Sequence, residues 1–335
     1  MSQNSIPTSA SQISTPQVAT PQVVTQQVVT QHASAPYVMG ATQWLLLFVL
    51  SAIWGSSFFF YKLLLVELPI FTIVLARVAI AAAALHLFLA IKRDSVPPDA
   101  GLWKNFFLMG LLNNVIPFAL IVYGETQIAS GLAAILNATT PVFTILASRA
   151  LAGEDIQWNK ALGVAFGFVG VVVLFAPQLS GGVGSGGFSG ALAIIGASIS
   201  YGLSGVVARR FRGIQPAKVA AGQLSASALM LLPLVLIFER PWTLPAPSLH
   251  IWAALIALAL MCTALAYIIF FRLMQTSGPN NTSLVTLLVP VSAIVLGSIF
   301  LHEQLSTSAV VGMAIIAIGL LCIDGRILSR LKRSA

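Results

Sequence analysis

Long stretches of the chain run without a single charged residue, and they set its architecture. No Asp, Glu, Lys or Arg occurs from Met1 to Tyr61, Asn105 to Gly124, Thr126 to Ser148, Ala161 to Ala208, Val219 to Phe238, Pro241 to Phe271, Leu273 to His302 or Gln304 to Ile323. A lone charge at the centre of a bilayer costs about 3 kcal/mol, so such windows mark membrane segments. A spanning helix needs about 20 apolar residues. Divided at Gly, Pro and polar clusters, the windows predict ten helices: Gln43 to Leu63, Ile70 to Ile91, Leu102 to Tyr123, Ser130 to Leu151, Leu162 to Leu174, Gly190 to Val207, Ala217 to Phe238, His250 to Phe271, Thr282 to Leu301 and Ala309 to Ile323. The expected fold is an all-α integral membrane protein.

Composition agrees. Of the 335 residues, 58% are hydrophobic and 8% charged, against about 25% charged in an ordinary globular domain, which excludes a soluble protein. A formal charge of +8 raises the question of nucleic acid. The basic residues are scattered among apolar runs and cannot form a phosphate-tracking stripe, so no nucleic-acid partner is expected. They read instead as a topology signal, since short cytoplasmic loops are enriched in Lys and Arg. With the N-terminus inside, fourteen of the 17 face the cytoplasm; Lys62 and Arg240 fall outside and Arg77 lies within a helix. The expected location is a cell (inner or plasma) membrane, crossed an even number of times, with both termini cytoplasmic. Cys262 and Cys322 lie in apolar stretches with no second pair near them, which offers neither a disulfide framework nor a zinc site.

Residues 1–42 are of a different kind. Thr15-Pro16-Gln17-Val18, Thr20-Pro21-Gln22-Val23 and Thr25-Gln26-Gln27-Val28 repeat every five residues without a charge, as in a disordered cytoplasmic tail. There is no basic n-region followed by an early apolar core and no Arg-rich transit pattern, so the first span is expected to act as an uncleaved start signal. Beyond the tail the chain divides into residues 43–176, a Gly/Ser-rich external linker at 177–189, residues 190–325 and a basic cytoplasmic tail at 326–335.

The two long parts match each other. Pro141, Glu154, Gly163 and Gly170 recur as Pro290, Glu303, Gly312 and Gly319, each 149 positions on. Trp54-Gly55-x-Ser57 with Lys62 recurs as Tyr201-Gly202-x-Ser204 with Arg209, 147 positions on. Each part therefore holds five helices, and because five is odd the second enters the membrane from the opposite side. Such an inverted repeat suits alternating access, since exchanging the conformations of two equivalent halves converts an inward-open state into an outward-open one. The architecture points to a transporter and not to an enzyme.

Trp54-Gly55-Ser56-Ser57-Phe58, Arg77, Ser130-Gly131-x-Ala133, Pro141 and Glu154 in the first half, and Ala197-x-x-x-Tyr201-Gly202, Gln223 and the segment from Pro290 to Glu303 in the second, resemble the EamA-type family of the drug/metabolite transporter superfamily. The resemblance covers everything after about residue 42. It implies a ten-helix carrier of small organic metabolites, often an exporter of amino acids or related compounds. Asn280-Asn281, at the start of the ninth span, departs from the small residues more usual there.

Several residues stand out as candidates for substrate contact. Arg77 is a cation inside a helix, which needs a carboxylate, carbonyl oxygens or water. Its fork suits a substrate carboxylate; snorkelling towards the outer surface is the rival reading, and both stand at this point. Glu67 and Glu125, near the outer ends of adjacent spans, are candidate partners for it. Trp54 and Tyr201 occupy matching midmembrane positions suited to lining a metabolite pocket or to core packing, and Ser57 and Ser204 share their helical faces. Asn114, with Asn113, and Asn137 and Gln223 are midmembrane amides that need partners across helices or in a cavity. Pro141 and Pro290 each remove a backbone donor within matched spans and are candidate hinges. Gly163, Gly167 and Gly170 form a small-residue face that serves close helix packing, within the chain or in a homodimer. Glu154 and Glu303 end matched turns, where caps or salt bridges are expected. The partners expected are thus a small-molecule substrate and the lipid bilayer.

Three tempting motifs fail. Gly182-x-Gly184-x-x-Gly187 has the letters of a dinucleotide fingerprint but no strand before it. His302-Glu303 lacks the second histidine of a zincin, because position 306 is Ser306. Asn137-Ala138-Thr139 is a glycosylation triplet inside a span. No nucleophile with an adjacent base and no metal cluster is evident, so neither cofactor nor metal is expected.

Overall fold

The structure is a computed structural model that describes Met1 and residues 39–179, 185–282 and 284–324. Most of the N-terminal tail, the centre of the 177–189 linker and the basic C-terminal tail lie outside the described residues. Every regular element described is helical. In chain order the α-helices are α1 (Ala41–Leu64), α2 (Ile70–Ile91), α3 (Ala100–Gly110), α4 (Ile116–Glu125), α5 (Ser130–Asn137), α6 (Thr140–Ala152), α7 (Trp158–Leu179), α8 (Ser185–Val207), α9 (Pro216–Leu234), α10 (Leu249–Ala259), α11 (Ala266–Thr282), α12 (Val285–Phe300) and α13 (Thr307–Asp324).

Among the described residues, seven helical stretches are long and apolar enough to cross a membrane: Ala41–Leu64, Ile70–Ile91, Ala100–Glu125, Ser130–Ala152, Gly187–Phe211, Pro216–Glu239 and Leu249–Ser277. Three further helices are apolar over their described residues: Trp158–Leu174 of α7, Val285–Phe300 and Thr307–Ile323. The bundle turns apolar side chains outward as well as inward. Phe48, Leu232, Ile237, Trp252, Ile299 and Val310 are among many large hydrophobics left exposed. On a soluble protein such a surface would be an aggregation liability; here it is what lipid requires.

Helix contacts come in repeat-related sets. α1 packs on α12 and α8 on α6, and these are the same contact in the two halves; α2 packs on α9 and α7 on α13, each a helix against its own counterpart. The α7–α13 seam shows why glycine is needed. A Cβ on Gly163 would lie 2.4 Å from Ile323 Cγ1 and 2.5 Å from the Gly319 carbonyl oxygen, and one on Gly170 would lie 2.9 Å from the Gly312 carbonyl oxygen. Gly167 faces Val142. The small-residue face is therefore used inside the chain. Gly163→Ala is expected to destabilise by about 1–3 kcal/mol, read as a lowered unfolding temperature in detergent, whereas Gly196→Ala, which would meet only Leu120 Cδ1 at 3.2 Å, should be nearly neutral.

Two helix starts borrow their caps from the far half of the chain. α2 begins after Pro69, which offers no side-chain cap, and the Glu239 carboxylate accepts from Phe71 N (2.8 Å), Thr72 N (2.6 Å) and the Thr72 hydroxyl (2.7 Å) instead. Glu303 does the same for α5, accepting from Ser130 N (2.8 Å), the Ser130 hydroxyl (2.7 Å) and Gly131 N (3.2 Å). A carboxylate at orphan N–H groups satisfies them and complements the helix dipole. At the opposite end of the bundle Glu154 pairs with Arg209 and Asp94 with Lys218 (2.7 Å). The Arg209 hydrogen bond holds Glu154 below its usual carboxylate range, and the Lys218 bond does the same for Asp94.

The prolines differ from the matched mid-span pair expected. Pro290 lies inside α12. Pro141 instead stands in the first turn of α6, after a break at Ala138–Thr139 that divides the fourth span into α5 and α6. A first-turn proline removes a donor that would have no partner anyway. The Asn137 carbonyl, four residues before it, accepts from the Thr140 hydroxyl at 2.7 Å.

Candidate functional site

A cavity of about 570 Å³ runs through the middle of the bundle. Its lining runs from exposed Ala208, next to Arg209, and half-buried Ile214 to a closed end of buried residues that includes Tyr61, Arg77, Phe118 and Ile121. Its volume lies in the range of small-molecule pockets.

Trp54, Ser57, Arg77, Asn137, Tyr201, Ser204 and Gln223 all line it. Asn114 does not. It is fully buried, donating to the Ser227 hydroxyl at 3.0 Å, while its neighbour Asn113 lines the cavity. The physical reason is a π-helical segment, Leu111–Val115, between α3 and α4. One extra residue in the turn rotates the rest of the helix about its axis, so a face projected at 3.6 residues per turn is displaced. A second π segment, Leu260–Leu265, stands between α10 and α11, 149 positions after the first. It carries Cys262 and Thr263, the counterparts of Asn113 and Asn114, and both line the cavity. Such segments recur at functional sites. Thr263, Tyr267 and Tyr61 are wall residues that charge windows and short motifs did not mark.

At the closed end Arg77 is 5% exposed. Its Nε donates to the Thr263 hydroxyl at 2.8 Å, one terminal nitrogen to the Tyr61 hydroxyl and the other to the Cys262 carbonyl at 3.4 Å. The guanidinium centre stands 4.0 Å over the Phe118 ring, a cation–π contact. Neither expected carboxylate meets it. Glu67 instead accepts from Ser248 N (2.8 Å) and the Ser248 hydroxyl (2.6 Å), which hold it below the usual carboxylate range, with His250 at 3.8 Å. Tyr61 has taken the place expected for Glu125. A guanidinium has five donors; among the described residues three are engaged, leaving one on each terminal nitrogen.

Further along the wall, Asn113 donates to Gln223 Oε1 (3.3 Å) and the Tyr267 hydroxyl (3.0 Å) and accepts from Ser204 (3.1 Å). Asn137 Oδ1 is buried with no hydrogen-bond partner among the described residues. Trp54 packs on Phe270 with ring centres 5.5 Å apart. Among the described lining residues Arg77 is the sole charge, set in a wall of aromatic rings, amides and hydroxyls. No group of three His, Cys, Asp or Glu that could hold a metal occurs among the described residues.

Fold and site together define a multi-pass helical membrane protein with a solute-sized cavity between two related halves. The profile of the EamA-like transporter family matches residues 42–176 and again 188–323, and the chain belongs to that family. It is 26% identical to the uncharacterized transporter YoaV of Bacillus subtilis, over 80% of this chain and 91% of that one. It is 30% identical to the uncharacterized inner membrane transporter YedA of Escherichia coli K12, over 78% and 83% respectively. Protein PecM of Dickeya dadantii is 26% identical, over 85% of this chain and 94% of its own. A solved crystal structure superposes with a TM-score of 0.61 at 19% identity, covering 87% of this chain and 99% of the other, which shows the shared fold.

Proposed function

We propose that the protein is a secondary carrier that exports amino acids or related small organic metabolites by alternating access of two inverted five-helix repeats, residues 43–176 and 190–325. The carrying observation is the cavity that ends on Arg77. One buried cation with two unused donors, facing aromatic and amide walls, suits a solute with a carboxylate at one end and a compact organic body. The three further apolar helices complete ten crossings in this reading: even Val285–Phe300, at 1.5 Å per residue, reaches about 24 Å, within the mismatch a bilayer accommodates. The distribution of Lys and Arg supports cytoplasmic termini in a cell membrane. In that orientation the mouth near Arg209 would face the cytoplasm, where an exporter loads. Trp54, Ser57, Asn137, Tyr201, Ser204 and Gln223 line the substrate path; Pro290 inside α12 and the break before Pro141 at the start of α6 are where these helices would pivot.

Profiling the medium of cells that overexpress the protein tests this. Carboxylate-bearing metabolites are expected to rise several-fold outside cells with the wild type and to fall back with Trp54→Ala at equal membrane abundance. A medium unchanged by the wild type overturns the export reading.

A further inference from the structure

Glu125 ends α4 just beyond the closed end of the cavity, and it is 0% exposed. Neither carboxyl oxygen has a hydrogen-bond partner among the described residues. By contrast Glu67, Asp94, Glu154, Glu239 and Glu303 have each found one, at a helix start, a serine or a basic side chain. Lys62 lies alongside, but its amine donates to the Glu125 main-chain carbonyl. An ionised carboxylate in such a place would be both desolvated and unsatisfied.

We propose that Glu125 is the proton-binding site of the carrier: the carboxyl holds a proton while the Lys62 end is closed, and exchange of that proton drives solute movement. This inference rests on the carrier reading and supplies its driving force. Each group around Glu125 has a place in it. From α1 come Lys62, positioned to stabilise the anion once the proton leaves, and Tyr61, whose hydroxyl accepts from Arg77 on α2 and lies within electrostatic range of Glu125. From the turn after α12 comes Glu303, a like charge within range that disfavours a second anion. α8 presents Gly190 and Ile194 at Gly124, and α5 contains no titratable residue. Tyr61 thus joins the two sites, and a carboxylate arriving at Arg77 is felt at Glu125. When the proton moves it passes from the carboxyl oxygen to water and returns from water; no bond other than O–H is made or broken.

The full chain reconstituted in liposomes provides two readouts. The first is infrared difference spectroscopy across a pH titration without substrate. A protonated-carboxyl band is expected to be lost as pH rises, to be absent in Glu125→Gln and to be kept, shifted, in Glu125→Asp. The second uses a mixture of the common amino acids as probe. With one coupled proton, each pH unit of imposed gradient should drive about tenfold accumulation in the wild type. Glu125→Gln should lose this while unfolding in detergent at the wild-type temperature, which shows that the variant is folded, and Glu125→Asp should keep it. A band unchanged in Glu125→Gln, or accumulation that still follows the gradient, overturns the proposal. If the wild type moves no amino acid, the substrate reading has failed, and the infrared band alone decides for or against the proton site.

Discussion

Arg77→Ala is expected to destabilise the protein by about 3 kcal/mol and to weaken export of carboxylate solutes by about a hundredfold. The stability loss follows from the bonds at Tyr61 and Thr263. Hydrogen bonds to a charged donor contribute about 1.5–3 kcal/mol each, and their removal strands buried hydroxyls. The transport loss follows from removing the sole charge on the described wall, since about 3 kcal/mol of lost binding is about a hundredfold in affinity. Arg77→Lys separates the two effects. A lysine keeps the charge but not the planar fork that meets Thr263, Tyr61 and a carboxylate together, so it should recover part of the unfolding temperature and little of the half-saturation concentration. If Arg77→Ala exported as well as wild type at matched membrane abundance, the residue would be structural glue between α1, α2 and the π segment Leu260–Leu265.

How far the amino-acid sequence foretells this site depends on the range of the interaction. Charge-free windows are a local property, so most helices emerge close to their expected positions, and the repeat offset already pairs Trp54 with Tyr201 across what proves to be one cavity. Arg77 was legible as the intramembrane cation, because its isolation is visible in one dimension. Its partners were not. Tyr61 is an aromatic in an apolar run, with nothing to distinguish it from lipid-facing neighbours until α1 and α2 are packed. The choice between Asn113 and Asn114 was hidden for another reason: a π segment changes the helical phase, and periodicity at 3.6 residues per turn does not contain it. Glu239 and Glu303 cap helices 168 and 173 residues away, beyond any local capping pattern. Glu125 is legible as a residue and not as a site, because lacking a partner is a property of the fold.

The second large effect is expected at the glycines that set the cavity's two flanks. A Cβ on Gly55 would lie 1.9 Å from the Ser292 hydroxyl oxygen and 2.8 Å from the Val289 carbonyl oxygen; one on Gly202 would lie 2.7 Å from the Phe143 carbonyl carbon. These are the same contact in the two repeats, α1 on α12 and α8 on α6. Ser292 has little room to yield, because its hydroxyl donates to the Ser51 carbonyl across that interface at 2.8 Å and sits 2.9 Å from the Val289 carbonyl. The Phe143 contact is with main chain and cannot rotate away. Gly55→Leu and Gly202→Leu should therefore each destabilise by about 1–3 kcal/mol, at the upper end of overpacking, as measured by unfolding temperature in detergent. Their partners are not shared, so the double variant should lose about the sum. Transport should fall at both sites even where the protein still inserts, because splaying either pair moves Trp54 or Tyr201 out of register with the opposite wall. A pair of variants with unchanged unfolding temperatures would mean that the two flanks do not approach this closely in the membrane.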